Sequence, residues 1–141
     1  MTDKQFILTF YKQEVDMKNM EKLYDAFGEL IYVVAMSDGE IQKEELDAIE
    51  KRLADHPWKE NIKWSFDYEA RKKNPIEDIY KKVISYCEMH GPEPEYAFLI
   101  NTLEEVANAS NGIDENERRV INSFSADLIA KFKEDIQRIN S

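Results

Sequence analysis

The chain of 141 residues carries 29 acidic and 19 basic side chains, a formal net charge of −10. That length suits a single domain burying roughly two-thirds of its unfolded surface, and 43% hydrophobic residues exclude wholesale disorder. The acidic excess repels phosphate backbones and argues against nucleic acid as a partner; the one cysteine, Cys87, leaves no disulfide framework and no cysteine-based metal centre.

In chain order, the segment from about Gln5 to Met17 adds a helix or extends the next one. Leu23, Phe27, Leu30, Ile31 and Val34 then fall on one face at helical spacing. The longest strictly apolar run, Leu30 to Met36, is far short of the ~20 residues of a membrane span. Phe6 to Phe10 is too short and broken for a signal-peptide core, so the expected location is the cytoplasm. Leu46, Ile49 and Leu53 form a second stripe.

Pro57 to Asn74 reads differently. Trp58, Trp64, Phe66 and Tyr68 alternate with Lys59, Lys63, Arg71, Lys72 and Lys73, and the helical pattern is weak. The expectation is a short helix followed by an irregular stretch. Asn74-Pro75-Ile76-Glu77 next supplies a capping asparagine, proline at the first helical position and a glutamate to close the box. Ile76, Ile79, Tyr80, Val83, Ile84 and Cys87 follow, and His90-Gly91-Pro92 ends that helix. Tyr96, Leu99, Ile100, Leu103 and Val106 form the fourth stripe. Asp114 to Glu117 opens the last helix, carried by Val120, Phe124, Leu128, Phe132, Ile136 and Ile139. No stretch alternates with period two, so no sheet is expected. The predicted fold is all-α: a single-domain helical bundle over 1–141, with six to eight helices.

One motif occurs twice without a gap. Val34-Ala35-Met36-Ser37-Asp38-Gly39-Glu40-Ile41 runs on to Glu45 and Ile49; Val106-Ala107-Asn108-Ala109-Ser110-Asn111-Gly112-Ile113 runs on to Glu117 and Ile121. Such repetition, over 34–49 and 106–121, predicts two helix–turn–helix units packed as pseudo-symmetric halves. Glycine or asparagine at the turn supplies positive φ. The turn matches only the second half of an EF-hand loop. The first and third ligand positions would fall on Val34 and Met36, or on Val106 and Asn108, and hydrophobes cannot ligate calcium.

Two readings of the acidic turns stay open. Glu45 and Glu117 at the third helical position, with Asp114 as a cap, are what a capping box requires. Alternatively, pseudo-symmetry brings Asp38, Glu45, Asp114 and Glu117 together around a hard divalent cation, calcium or magnesium. The second copy has Ser110 where the first has Asp38, which removes one charge.

The repeated A-x-[AS]-D-G-x-I-x-x-x-E turn resembles the signature of the TerB-like family, associated with tellurite resistance and including the N-terminal region of the co-chaperone DjlA. The resemblance spans about residues 20 to 139. It implies an all-α protein of two similar halves, a non-enzymatic binding or sensing role in a stress-response setting, and metal ligands at Asp38, Glu45 and Glu117. It implies no role for Trp58 to Lys73.

Catalysis has little support. His56, before Pro57, reads as a surface loop residue; His90 reads as a helix C-terminal cap; Cys87 lies on an apolar face as core filler. The aromatic and basic island either covers the bundle or forms a protein-binding surface through Trp58, Trp64, Arg71, Lys72 and Lys73. Three functions are therefore carried forward: a binding or sensing module, an adaptor whose acidic turns only cap helices, and, remotely, a carboxylate-based hydrolase. None calls for membrane insertion.

Overall fold

The computed structural model describes the backbone of residues 3–37, 39–109 and 115–141, and the side chains of 17–37, 39–109 and 126–141. The described residues form six helices: α1 (Asp3–Ala35), α2 (Lys43–Leu53), α3 (Lys59–Lys72), α4 (Ile76–His90), α5 (Tyr96–Ala107) and α6 (Glu115–Asn140). Among the described residues there is no strand, and the all-α bundle predicted from periodicity is what forms. No helix among them is long and apolar enough to cross a membrane.

α1 is 33 residues long, about 50 Å at 1.5 Å per residue. The N-terminal segment therefore extends the first helix instead of making its own. Leu23, Phe27, Leu30, Ile31 and Val34 are all buried, as their spacing predicts. The burial goes further: every residue from Leu30 to Ala35 is at most 2% exposed. A helix apolar all round must be covered all round, and α1 packs against α3, α4, α5 and α6. The short α2 packs against α5.

α1 and α3 approach each other closely at Gly28. A Cβ placed on Gly28 would stand 2.0 Å from Ser65 Oγ and 2.2 Å from the Ile62 carbonyl oxygen. Glycine costs a helix interior about 1 kcal/mol relative to alanine, but here it lets two backbones touch. The Ser65 hydroxyl then donates to the Asp25 carbonyl at 2.7 Å, stitching the helices together.

Three expectations need correction. The stretch after Trp58 is not a short helix with an irregular tail but a 14-residue helix, α3. Its inward residues, Ile62, Ser65, Phe66 and Glu69, do keep helical spacing. Two of the four are polar, which hides the stripe from any pattern built on apolar residues. α4 is capped by Pro75, whose carbonyl accepts from Asp78 and Ile79. Asn74 instead gives its side-chain amide to Glu69 Oε2 at 3.3 Å. Leu46 is 42% exposed, so α2 is held by Glu45, Ile49 and Leu53.

Other punctuation is as read. Gly91 has φ of 86° and its N–H donates to the Cys87 carbonyl at 2.8 Å, ending α4. Ile79, Tyr80, Val83 and Cys87 are buried, as are Tyr96, Leu99, Leu103, Val106, Phe132 and Ile136. The side chains of Val120 and Phe124 lie outside the described residues. At the two copies of the motif, α1 ends at Ala35 and α5 at Ala107, α2 begins at Lys43 and α6 at Glu115, and the second turn itself lies outside the described residues. Both boundaries keep the spacing of the sequence motif, and Val34, Ala35, Val106 and Ala107 are all buried.

Candidate functional site

The first acidic turn is built from its motif residues. Ala35 is fully buried where α1 ends. The Ser37 hydroxyl donates to the Val34 carbonyl at 2.8 Å, and the Gly39 N–H donates to the Met36 carbonyl at 2.9 Å. Gly39 sits at φ of 93°, the conformation expected of this position. Ile41 packs, half-buried, on the core. Gln42 is the N-cap of α2, and its N–H donates to Glu45 Oε1 at 2.8 Å. Glu45 is thus at the third helical position and only 2% exposed. The glutamate that closes the capping box is a wall of the core as well.

The rest of the predicted cation set, Asp38, Asp114 and the side chain of Glu117, lies outside the described residues. Among the described residues, no group of three or more His, Cys, Asp or Glu side chains converges to hold a metal.

The aromatic and basic island divides. Trp64 is 60% exposed on the outer face of α3, and its ring stacks on Tyr68, one turn later, at 5.5 Å between centroids and 18° between planes. The Lys72 ammonium lies over the other end of this pair, 5.7 Å from the Tyr68 centroid. Tyr68, Arg71 and Lys72 line a shallow surface depression. Lys73 follows at φ of 56°, and its N–H donates to the Glu69 carbonyl at 2.8 Å, closing the helix. Arg71, Lys72 and Lys73 are all exposed. Trp58 does not join them. It is half-buried on the core and stacks on Tyr24 of α1 at 5.4 Å and 16°. Trp64, Arg71 and Lys72 therefore share the outer face of α3 with Tyr68, Lys73 is exposed at the cap, and Trp58 turns inward.

The inward turn of Trp58 is tied to His56, which is not the surface residue expected. Its side chain is 10% exposed. Nδ1 accepts the Trp58 N–H at 3.0 Å, and the ring meets Tyr24 and Phe98 at centroid distances of 5.0 and 4.7 Å. Nε2 stands 4.0 Å from Glu95 Oε2, which accepts a 2.8 Å hydrogen bond from the Tyr24 hydroxyl. Burial pushes the imidazole pKa down, and the Glu95 carboxylate opposes it. This junction joins α1, the α2–α3 connection and the start of α5. Proline after His56 signals a loop but says nothing of depth; the residues that bury it come from elsewhere in the chain.

Among the described residues, the remaining titratable groups show no nucleophile beside a base. Burial pushes the Cys87 thiol up to about 11, the wrong direction for a thiolate. His90 lies between Tyr86 and Glu93, with ring nitrogens 3.3 Å from each partner. A groove of about 510 Å³ runs between the end of α1, the start of α4 and α6. Val33, Ile76, Tyr80 and Leu128 floor it, while Lys81, Lys131, Glu77 and Asp127 line the rest. The hydroxyl of Tyr80 donates to Asp135 Oδ2 at 2.7 Å, which leaves it no free proton to offer a substrate. Compared with family models, curated proteins and solved structures, the chain matches none.

Proposed function

We propose that this protein is a non-enzymatic binding module, TerB-like in kind, that docks a protein partner on the outer face of α3. One observation carries the reading: a tryptophan left 60% exposed and stacked on a tyrosine that shares a surface depression with Arg71 and Lys72. Tryptophan, tyrosine and arginine dominate the energetic centres of protein interfaces. Neither Trp64 nor Tyr68 is needed to cover the bundle, because Phe66 and Ile62 do that from the opposite side of the same helix.

Peptide display against the folded protein tests this. Peptides selected by the natural chain should lose binding to Trp64→Ala/Arg71→Ala, while both proteins unfold at the same temperature. Selected peptides that bind both proteins equally would remove α3 as the docking face.

In this reading Glu45 serves the start of α2, and the acidic turns position helices. Magnesium chloride at millimolar levels then raises the melting temperature no more than sodium chloride at matched ionic strength. A larger rise with magnesium, lost in Asp38→Asn, would assign the turns to a divalent cation.

A further inference from the structure

Resting on α3 as the docking face, we infer that its occupant is an acidic peptide segment, which lays an apolar side chain on Trp64 and Tyr68 and gives its carboxylates to Arg71, Lys72 and Lys73. The three cations are consecutive, in the last turn of α3 and at its cap. Among the described residues none of them makes an ion pair. Lys63, Lys82, Lys133 and Arg138 are paired with Glu50, Glu29, Glu104 and Glu88; several exposed lysines, Lys51 and Lys81 among them, are not, but only Arg71, Lys72 and Lys73 stand consecutively at the end of a helix that also carries the stacked aromatic pair. In a chain of net charge −10, this is a run of three positive charges that no acidic side chain pairs with among the described residues. The helix's own C-terminal dipole draws cations there, but it does not account for an exposed stacked aromatic pair one and two turns earlier.

The chemistry of the island fits carboxylates on a flexible chain. Arginine's planar fork receives a carboxylate through two parallel hydrogen bonds, and lysine adds a point charge. Lys72 already links the two halves, its ammonium lying over Tyr68. From Trp64 to Lys72 the face runs about 12 Å along the helix, the span of roughly four extended residues. That small footprint decides between kinds of anionic partner. A lipid surface or a nucleic acid extends far beyond this face and would bring its own charge against the acidic remainder of the protein. A short peptide stays inside the island, at distances where a screening length of about 8 Å shields it from the rest.

The test uses Trp58→Phe protein, in which Trp64 alone reports by its emission. The probes are a short peptide of glutamates around a central leucine, the same peptide with glutamine or with lysine in place of glutamate, phosphatidylserine vesicles, and oligo-dT. The glutamate peptide should shift Trp64 emission saturably and bind at least about tenfold tighter than the glutamine peptide. Arg71→Ala/Lys72→Ala/Lys73→Ala should erase that advantage. Lys63→Ala, on the same helix but paired with Glu50, should keep it. Equal binding of the glutamate and glutamine peptides, or tighter binding of the lysine peptide, overturns the acidic occupant while leaving α3 a docking face. Tighter binding of vesicles or oligo-dT also overturns it and reassigns the island. No response to any probe overturns it too, and the docking face falls as well only when the display selection is insensitive to Trp64 and Arg71.

Discussion

The two faces of α3 invert the usual distribution of residues. Its inner face carries a serine and a glutamate among its four buried side chains, while its outer face carries a tryptophan and a tyrosine. On the inside, polarity follows from proximity. Gly28 brings the α1 backbone so near that a small hydroxyl, bonded to the Asp25 carbonyl, fits where a larger apolar group would not. Glu69 is admitted one turn on, with Asn74 donating to it. On the outside, Trp64 is left 60% exposed and Tyr68 36% exposed. A helix whose apolar residues fall on both sides is shaped by two demands at once, close packing within and contact without.

The largest effect that would break this comparison is on the inner face. Phe66→Ala should lower the unfolding free energy by about 3–5 kcal/mol, measured by urea denaturation; a change below about 1 kcal/mol would mean that α3 is loosely held. Gly28→Ala comes next, at about 2–3 kcal/mol or more, since the new methyl meets a backbone carbonyl that cannot rotate away. Adding Ser65→Ala should not rescue it, because the Ile62 oxygen remains 2.2 Å from the added Cβ. Full rescue would show that the serine alone sets the spacing.

A smaller effect distinguishes the two tryptophans through pH. The folded pKa of His56, beneath Trp58, is lowered by burial, so the unfolded chain binds its proton more readily. The stability this contributes is present above the ordinary imidazole range and is lost as pH falls through about 6.5 and below. Urea midpoints should therefore drop between about pH 7.5 and 5.5, and drop less in His56→Asn, whose side-chain oxygen can still accept the Trp58 N–H. Parallel pH dependence in both proteins would take His56 out of the account. The smallest effect is on the outer face: Trp64→Ala should shift stability by no more than about 0.5 kcal/mol. A cooperative loss of fold would make Trp64 a core residue and remove the contrast between the faces.

Much of the fold was legible because most helices bury one apolar stripe against a single centre. Leu23 to Val34, Ile79 to Cys87 and Tyr96 to Val106 announce themselves by spacing, and the doubled turn marks where two helices stop and two begin. α3 was illegible for the reason just given: with Ser65 and Glu69 inside and Trp64 and Tyr68 outside, hydrophobicity points the wrong way. His56 and Trp58 were misplaced because their cover, Tyr24 and Phe98, is distant in sequence. The island itself was visible as composition; which of its two tryptophans faces water depends on where α1 runs, and no local pattern encodes that.

The unbroken burial from Leu30 to Ala35 bears on how the protein is made. These residues leave the ribosome before every helix that surrounds them, and of those helices α5 and α6 emerge latest. Until α5 and α6 have emerged the apolar end of α1 has only part of its cover, so a nascent chain stalled before α5 presents a sticky segment that holdase chaperones would recognise. A protein truncated after His90 should accumulate as aggregate or chaperone complex, because its central helix has been made for neighbours that never arrive.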